Sequence, residues 1–161
     1  MTAEPAQEAK LRARLIEELG RIMQEFQRST DTLDQHVADR LGLNRTDLRC
    51  LELLFAPTPM SPGELAAAAG LTTGGVTTAI DRLEKSGYAT RTRDTADRRR
   101  VTVQPTEKAN AMVEEIFAPI ARDGAAYLQE FDTAALVALS EFLRFAARLQ
   151  QEHAARLAVP R

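Results

Sequence analysis

From Glu8 to Leu41 apolar residues fall at Leu11, Leu15, Leu19, Ile22, Phe26, Leu33, Val37 and Leu41. Steps of three and four predict a helix, with Gly20 and Ser29-Thr30-Asp31 as candidate bends. At 1.5 Å per residue it reaches ~50 Å. A compact globule of this chain length is only about 40 Å across, so the helix needs a partner outside the compact body. Gly42 ends it. Asn44 reads as the N-cap of a second helix, with Leu48, Leu51, Leu54 and Phe55 on one face. Pro57 and Pro59 bracket a loop. Ser61-Pro62-Gly63-Glu64 is a capping box with proline at the first helical position, and the short helix it starts, 62–69, stops at Gly70. Thr72 or Thr73 caps another helix that ends near Ser86-Gly87. Two short helices joined through Gly70-Leu71-Thr72 fit helix-turn-helix spacing.

Next comes a hairpin. Tyr88 to Arg93 and Arg99 to Gln104 are β-compatible, with alternating Val101 and Val103, around a charged tip from Asp94 to Arg98. Pro105 stops it. Thr106 caps a helix predicted to be interrupted at Pro119, because proline lacks a backbone donor and crowds the preceding turn. Asp132 caps a last helix with Leu136, Leu139, Phe142, Leu143, Ala146 and Leu149 on its apolar side. The fold class this order predicts is mainly α with one small β-hairpin.

The helix after Thr72 divides into two sides. At about 100° per residue, Val76, Ala79, Ile80 and Leu83 fall within an arc of about 100° and should face the core. The opposite side carries Gly74, Thr77, Thr78, Asp81, Arg82 and Lys85. A helix that reads DNA needs this division, with one anchored side and one side of short polar groups and cations. The alternative is an ordinary solvated helix side. Gly74-Gly75 costs helix stability, and close approach of backbone to DNA is one reason to keep it.

Composition narrows the choice. The chain has 161 residues and one cysteine, Cys50, so it forms no intramolecular disulfide and nothing argues for secretion. No run approaches the ~18 apolar residues a membrane span needs. Met1 to Lys10 has no apolar stretch resembling a signal peptide. A cytoplasmic protein is expected. The net charge of −2 conceals an uneven distribution. Lys85 to Arg100 holds six basic residues against Asp94 and Asp97, net +4, which leaves −6 for the remainder. A basic island on an acidic body is a candidate polyanion contact. Arginines on a protruding turn can enter a narrow minor groove, and Asp97 would hold one of them in place.

Ser61 to Pro105 resembles the winged helix-turn-helix of the MarR family of bacterial transcriptional regulators. Three pieces carry the match. They are Glu64-Leu65-Ala66 through Gly70-Leu71-Thr72; Val76-Thr77-Thr78 with Asp81-Arg82-Leu83-Glu84 and Gly87-Tyr88; and Arg91-x-Arg93-Asp94-x-x-Asp97-Arg98-Arg99, followed by a strand and Thr106-Glu107-Lys108. With the flanking helices the resemblance covers about residues 8–157. It implies a winged helix-turn-helix domain at 44–105 between long dimerisation helices at 1–43 and 106–161. It also implies a homodimeric repressor that reads a pseudo-palindromic operator in double-stranded DNA and is released by a small aromatic effector, with no cofactor. The DNA-binding residues it implies, together with the reading above, are Thr72, Thr73, Gly74, Thr77, Thr78, Arg82, Lys85, Arg91, Arg93, Asp97, Arg98 and Arg99. The chain departs from the family pattern at Gln104-Pro105-Thr106 and at Ala109, where glycine is usual.

Little supports catalysis. His36 and His153 lie in the outer helices, Cys50 sits between apolar positions, and no nucleophile elbow, phosphate loop or metal-spaced cluster occurs. A second reading is an effector-independent architectural or protein-interaction module on the same fold. A regulator should prefer its own upstream region over random DNA by orders of magnitude, and an architectural module should not.

Overall fold

The structure, a computed structural model, describes residues 3–93 and 101–157. Six helices and one hairpin follow in the order α1 (Ala3–Leu41), α2 (Arg45–Leu54), α3 (Pro62–Ala69), α4 (Thr73–Lys85), β1 (Ala89–Arg93), β2 (Val101–Pro105), α5 (Glu107–Leu128) and α6 (Thr133–Leu157). The chain divides into two units, 1–110 and 111–161.

Local chemistry fixes the boundaries in the first unit. The Asn44 side chain accepts the Asp47 N–H at 2.9 Å and caps α2. Ser61 and Glu64 form the reciprocal capping box of α3, with Pro62 at its start. Thr72, rather than Thr73, caps α4 by accepting the Gly75 N–H at 3.1 Å. Gly70 (φ 69°) and Gly87 (φ 75°) turn the chain in the left-handed region, where a Cβ would cost about 1–2 kcal/mol.

The core lies where α2, α3 and α4 meet the hairpin. Leu48, Leu51 and Leu54 from α2, Leu65 from α3, and Val76, Ala79, Ile80 and Leu83 from α4 are all buried, with Val103 from β2. The four α4 residues are those the periodicity assigns to the interior. Val37, Ala38 and Leu43 seat the end of α1 against α2.

The strands are antiparallel, from Ala89 opposite Pro105 to Arg93 opposite Val101. Pro105 thus closes the ladder instead of stopping short of it. The Val103 N–H also donates to the Met60 carbonyl at 2.8 Å, so the loop before α3 borders β2 like a third strand. The hairpin's far end is anchored as well. Thr106 donates its N–H to the Tyr88 carbonyl at 3.1 Å and its hydroxyl to the Gly87 carbonyl at 2.7 Å. Its Oγ1 accepts the Ala109 N–H at 3.2 Å, capping α5.

α1 is a continuous helix of 39 residues. Ser29, Thr30 and Thr32 donate their hydroxyls to carbonyls four residues back, so side chains that compete with helix elsewhere are accommodated here. Leu11, Leu15, Ile16, Leu19, Ile22 and Phe26 are exposed.

In the second unit α5 runs through Pro119 without a break, contrary to the expected interruption. The proline is exposed, its fixed φ suits a helix, and long helical segments flank it, so the loss of one N–H bond is tolerated. Asp132 Oδ1 accepts the Ala135 N–H at 2.7 Å and caps α6. Phe142, Leu143, Phe145 and Leu149 of α6 are exposed. Among the described residues no helix is long and apolar enough to cross a membrane.

Candidate nucleic-acid interface

With Val76, Ala79, Ile80 and Leu83 locked inside, α4 turns Thr73, Gly74, Thr77, Thr78, Asp81, Arg82 and Lys85 to the surface. The helix is tied down at both flanks. On one side Arg82 lays its Nε and Nη2 on the two carboxylate oxygens of Asp47, at 2.7 and 2.6 Å. Asp47 is 2% exposed and also accepts the Asn44 Nδ2 at 2.9 Å. This bidentate bond raises the Arg82 pKa above the ordinary guanidinium value, against a smaller opposing effect of burial. On the other side Arg91 of β1 donates to both Glu84 and Asp81 of α4, the latter at 2.7 Å, and its backbone N–H donates to Glu84 at 2.8 Å. Partial burial works against the Arg91 charge, but the hydrogen bond and charge of Asp81 and Glu84 outweigh it and raise its pKa.

The structure thus brings Thr72, Thr73, Gly74, Thr77, Thr78, Arg82 and Lys85 onto one exposed helix side, with Arg91 and Arg93 on the adjacent strand. Asp97, Arg98 and Arg99 lie outside the described residues. Sequence reasoning missed three supporting acids, Asp47, Asp81 and Glu84. Asp47 is 35 positions from Arg82, and no local pattern announces that pair. Asp81 and Glu84 are visible as charges four and one positions before Lys85, but their partner sits across a turn on β1.

The threonines have a specific hydrogen-bond state. Thr77 Oγ1 donates to the Thr73 carbonyl and Thr78 Oγ1 to the Gly74 carbonyl, each at 2.9 Å. Gly74 has open space where a Cβ would stand; at Gly75 a Cβ would meet the capping Thr72 Oγ1 at 3.2 Å. Cys50 is buried beside this network. Burial, then the nearby Asp47, pushes its thiol pKa up.

A helix-turn-helix whose second helix is followed by an antiparallel hairpin defines a winged helix-turn-helix protein. The MarR family model matches residues 43–101. An uncharacterized HTH-type transcriptional regulator of Bacillus subtilis (strain 168), YcgE, is 37% identical over 123 residues, which span 76% of this chain and 80% of YcgE. A second from that organism, YkoM, is 34% identical over 76 residues, 47% of this chain and 49% of its own. Among solved structures, a MarR family protein from Bacillus stearothermophilus superposes with a TM-score of 0.62 at 23% identity, covering 88% of this chain and 96% of that one. The transcriptional regulator Tm0710 from Thermotoga maritima gives 0.59 at 22%, covering 86% and 98%. The chain belongs to the MarR family. It is a transcriptional regulator of that family, a class of DNA-binding proteins and not of enzymes.

Proposed function

We propose that the chain acts as a homodimeric repressor. Two copies of α4 enter successive major grooves of a pseudo-palindromic operator, about 34 Å apart, and the hairpins lie along the flanking minor grooves. The observation that carries this reading is the two-sided character of α4, with four apolar residues fully buried and threonines and cations outward. In this reading Thr72, Thr73, Gly74, Thr77, Thr78, Arg82 and Lys85 meet the major groove. Arg91, Arg93 and the tip residues Asp97, Arg98 and Arg99 serve the hairpin contact. Residues 44–105 are the DNA-reading part, and 1–43 and 106–161 hold the dimer together. The exposed apolar side chains of α1 and α6 support that assignment, because such stripes cost free energy in water unless covered.

Release belongs to a small molecule, a small aromatic compound in keeping with the family. A cleft of about 380 Å³ between α1, α2 and the turn before α4, lined by Asp31, Asp34, Arg45, Arg49, Glu52 and Leu71 among others, gives a ligand access to that turn. An effector shifts the equilibrium only by its differential affinity for the two states.

The test is binding of the DNA upstream of its own gene against random duplex at physiological salt, by fluorescence anisotropy, with sedimentation to give stoichiometry. A preference of about a thousandfold or more and two chains per site are expected. Equal affinity for both duplexes would favour the architectural module. Ile16→Glu with Leu19→Glu should yield monomers with an intact helical spectrum and much weaker operator binding.

A further inference from the structure

The hydrogen-bond state of α4 favours some base edges over others, because a hydroxyl that reads an acceptor must first give up its bond within the helix. Thr77 and Thr78 each spend the hydroxyl proton on a carbonyl of their own helix, at 2.9 Å. What each then offers outward is an oxygen with lone pairs, which accepts, and a methyl group. Phosphate oxygens only accept, so a hydroxyl in this state has nothing to give them. Guanine shows only acceptors, N7 and O6, in the major groove, and the same mismatch applies. The groups that fit are the N6 amino of adenine or the N4 amino of cytosine for the oxygen, and the C5 methyl of thymine for the methyl. Adenine and thymine present the matching donor and the matching methyl in one base pair; a G·C pair presents a donor without a methyl.

The other donors on this face lie to either side of the two hydroxyls, Thr73 at the start of α4 and the outer Nη1 of Arg82 one turn after Thr78. Arg82 has its Nε–Nη2 edge on Asp47. Asp81 carries an acceptor already engaged by Arg91. Lys85 stands at the far end of the 13-residue helix, two turns beyond Thr78. The N-terminal half of the outward face is therefore Thr73, Gly74, Thr77 and Thr78, without a cation.

The geometry points to Thr77 and Thr78 as specificity-determining residues that select A·T base pairs under the N-terminal half of α4, the oxygen taking an adenine amino proton and the methyl packing on thymine. This rests on the proposed entry of α4 into the major groove.

The experiment begins with selection of binding sites from a random duplex library by the full-length protein. The selected operator is then made with deoxyuridine for thymidine, which removes only the methyl, and with purine for adenine, which removes only the amino group. Each substitution at the base pairs under Thr77 and Thr78 should weaken wild-type binding about three- to tenfold. Thr77→Ser and Thr78→Ser keep the hydroxyl and lose the methyl. They should bind the thymidine operator more weakly and be indifferent to deoxyuridine, losing more affinity for the thymidine operator than for random duplex. Selected sites that place G·C pairs there, or serine variants that lose affinity equally for every sequence, would overturn the assignment while leaving the regulator reading intact. A wild-type protein that selects no sequence at all would instead remove the reading on which it rests.

Discussion

Replacing Gly74 by alanine separates what the fold requires from what a ligand requires. Gly74 is the second residue of α4, its φ is not in the left-handed region, and a Cβ built there meets no atom within 4 Å. Alanine in a helix interior gains about 1 kcal/mol over glycine, and about half of that is a fair expectation in a first turn. For a cooperative unit of about a hundred residues, 1 kcal/mol corresponds to roughly 4 °C in Tm, so Gly74→Ala should melt about 2 °C higher. Gly75→Ala should show no gain, because its Cβ presses at 3.2 Å on the oxygen that caps α4. Gly70→Ala should melt about 4–8 °C lower, since Gly70 holds a φ of 69° that costs an L-residue about 1–2 kcal/mol. For Gly74→Ala, DNA affinity should run opposite to stability. If the duplex backbone packs against the start of α4, the added methyl of Gly74→Ala costs about 1 kcal/mol of overpacking, or about fivefold in Kd. Calorimetry and anisotropy on the same preparations give both numbers. A Gly74→Ala protein that is more stable and binds its operator unchanged would show that no DNA atom approaches this position. One that melts lower than wild type would refute the open space itself.

Three further outcomes follow from the contacts described. Ser61→Ala removes one half of the capping box of α3 and should lower stability by about 1 kcal/mol in denaturant titration; no change would mean the box is not formed in solution. Asp47→Asn removes the charge that orients Arg82 and should lower Tm and weaken operator and random duplex by a similar factor; a loss confined to one base-pair position would show that Arg82 reads a base. Cys50, buried and with its pKa raised by burial and Asp47, should react slowly with thiol reagents at pH 7. Its rate should still climb with pH where an ordinary cysteine has levelled off, and fast labelling of the folded protein at neutral pH would contradict this.

Features written in short stretches of sequence were readable. Asn44, Ser61 and Thr72 cap through bonds to residues three positions on, and the apolar side of α4 repeats at helical spacing, so each can be found in a window of a few residues. The family resemblance rests on such local pieces too. The pairing of Arg82 with Asp47, and of Arg91 with Asp81 and Glu84, depends on which elements become neighbours in space, and nothing near those arginines in sequence says so. Pro119 misled for a different reason. Its effect on a helix depends on what flanks it, and α5 extends far enough in both directions to pass through. The border that Met60 makes with Val103 is invisible beforehand because Met60 sits in a loop between prolines and belongs to no strand pattern.

The bonds that join Val103 to Met60, Arg91 to Glu84 and Thr106 to Gly87 stitch the hairpin to the loop before α3, to α4 and to the turn that follows α4. Strands fastened so thoroughly at their base have little freedom to swing by themselves. In the proposed dimer, a change in the distance between the two heads would then originate where α1 and α5 join them. Substitutions that loosen or stiffen those joints are where induction should become easier or harder while the preferred DNA sequence stays the same.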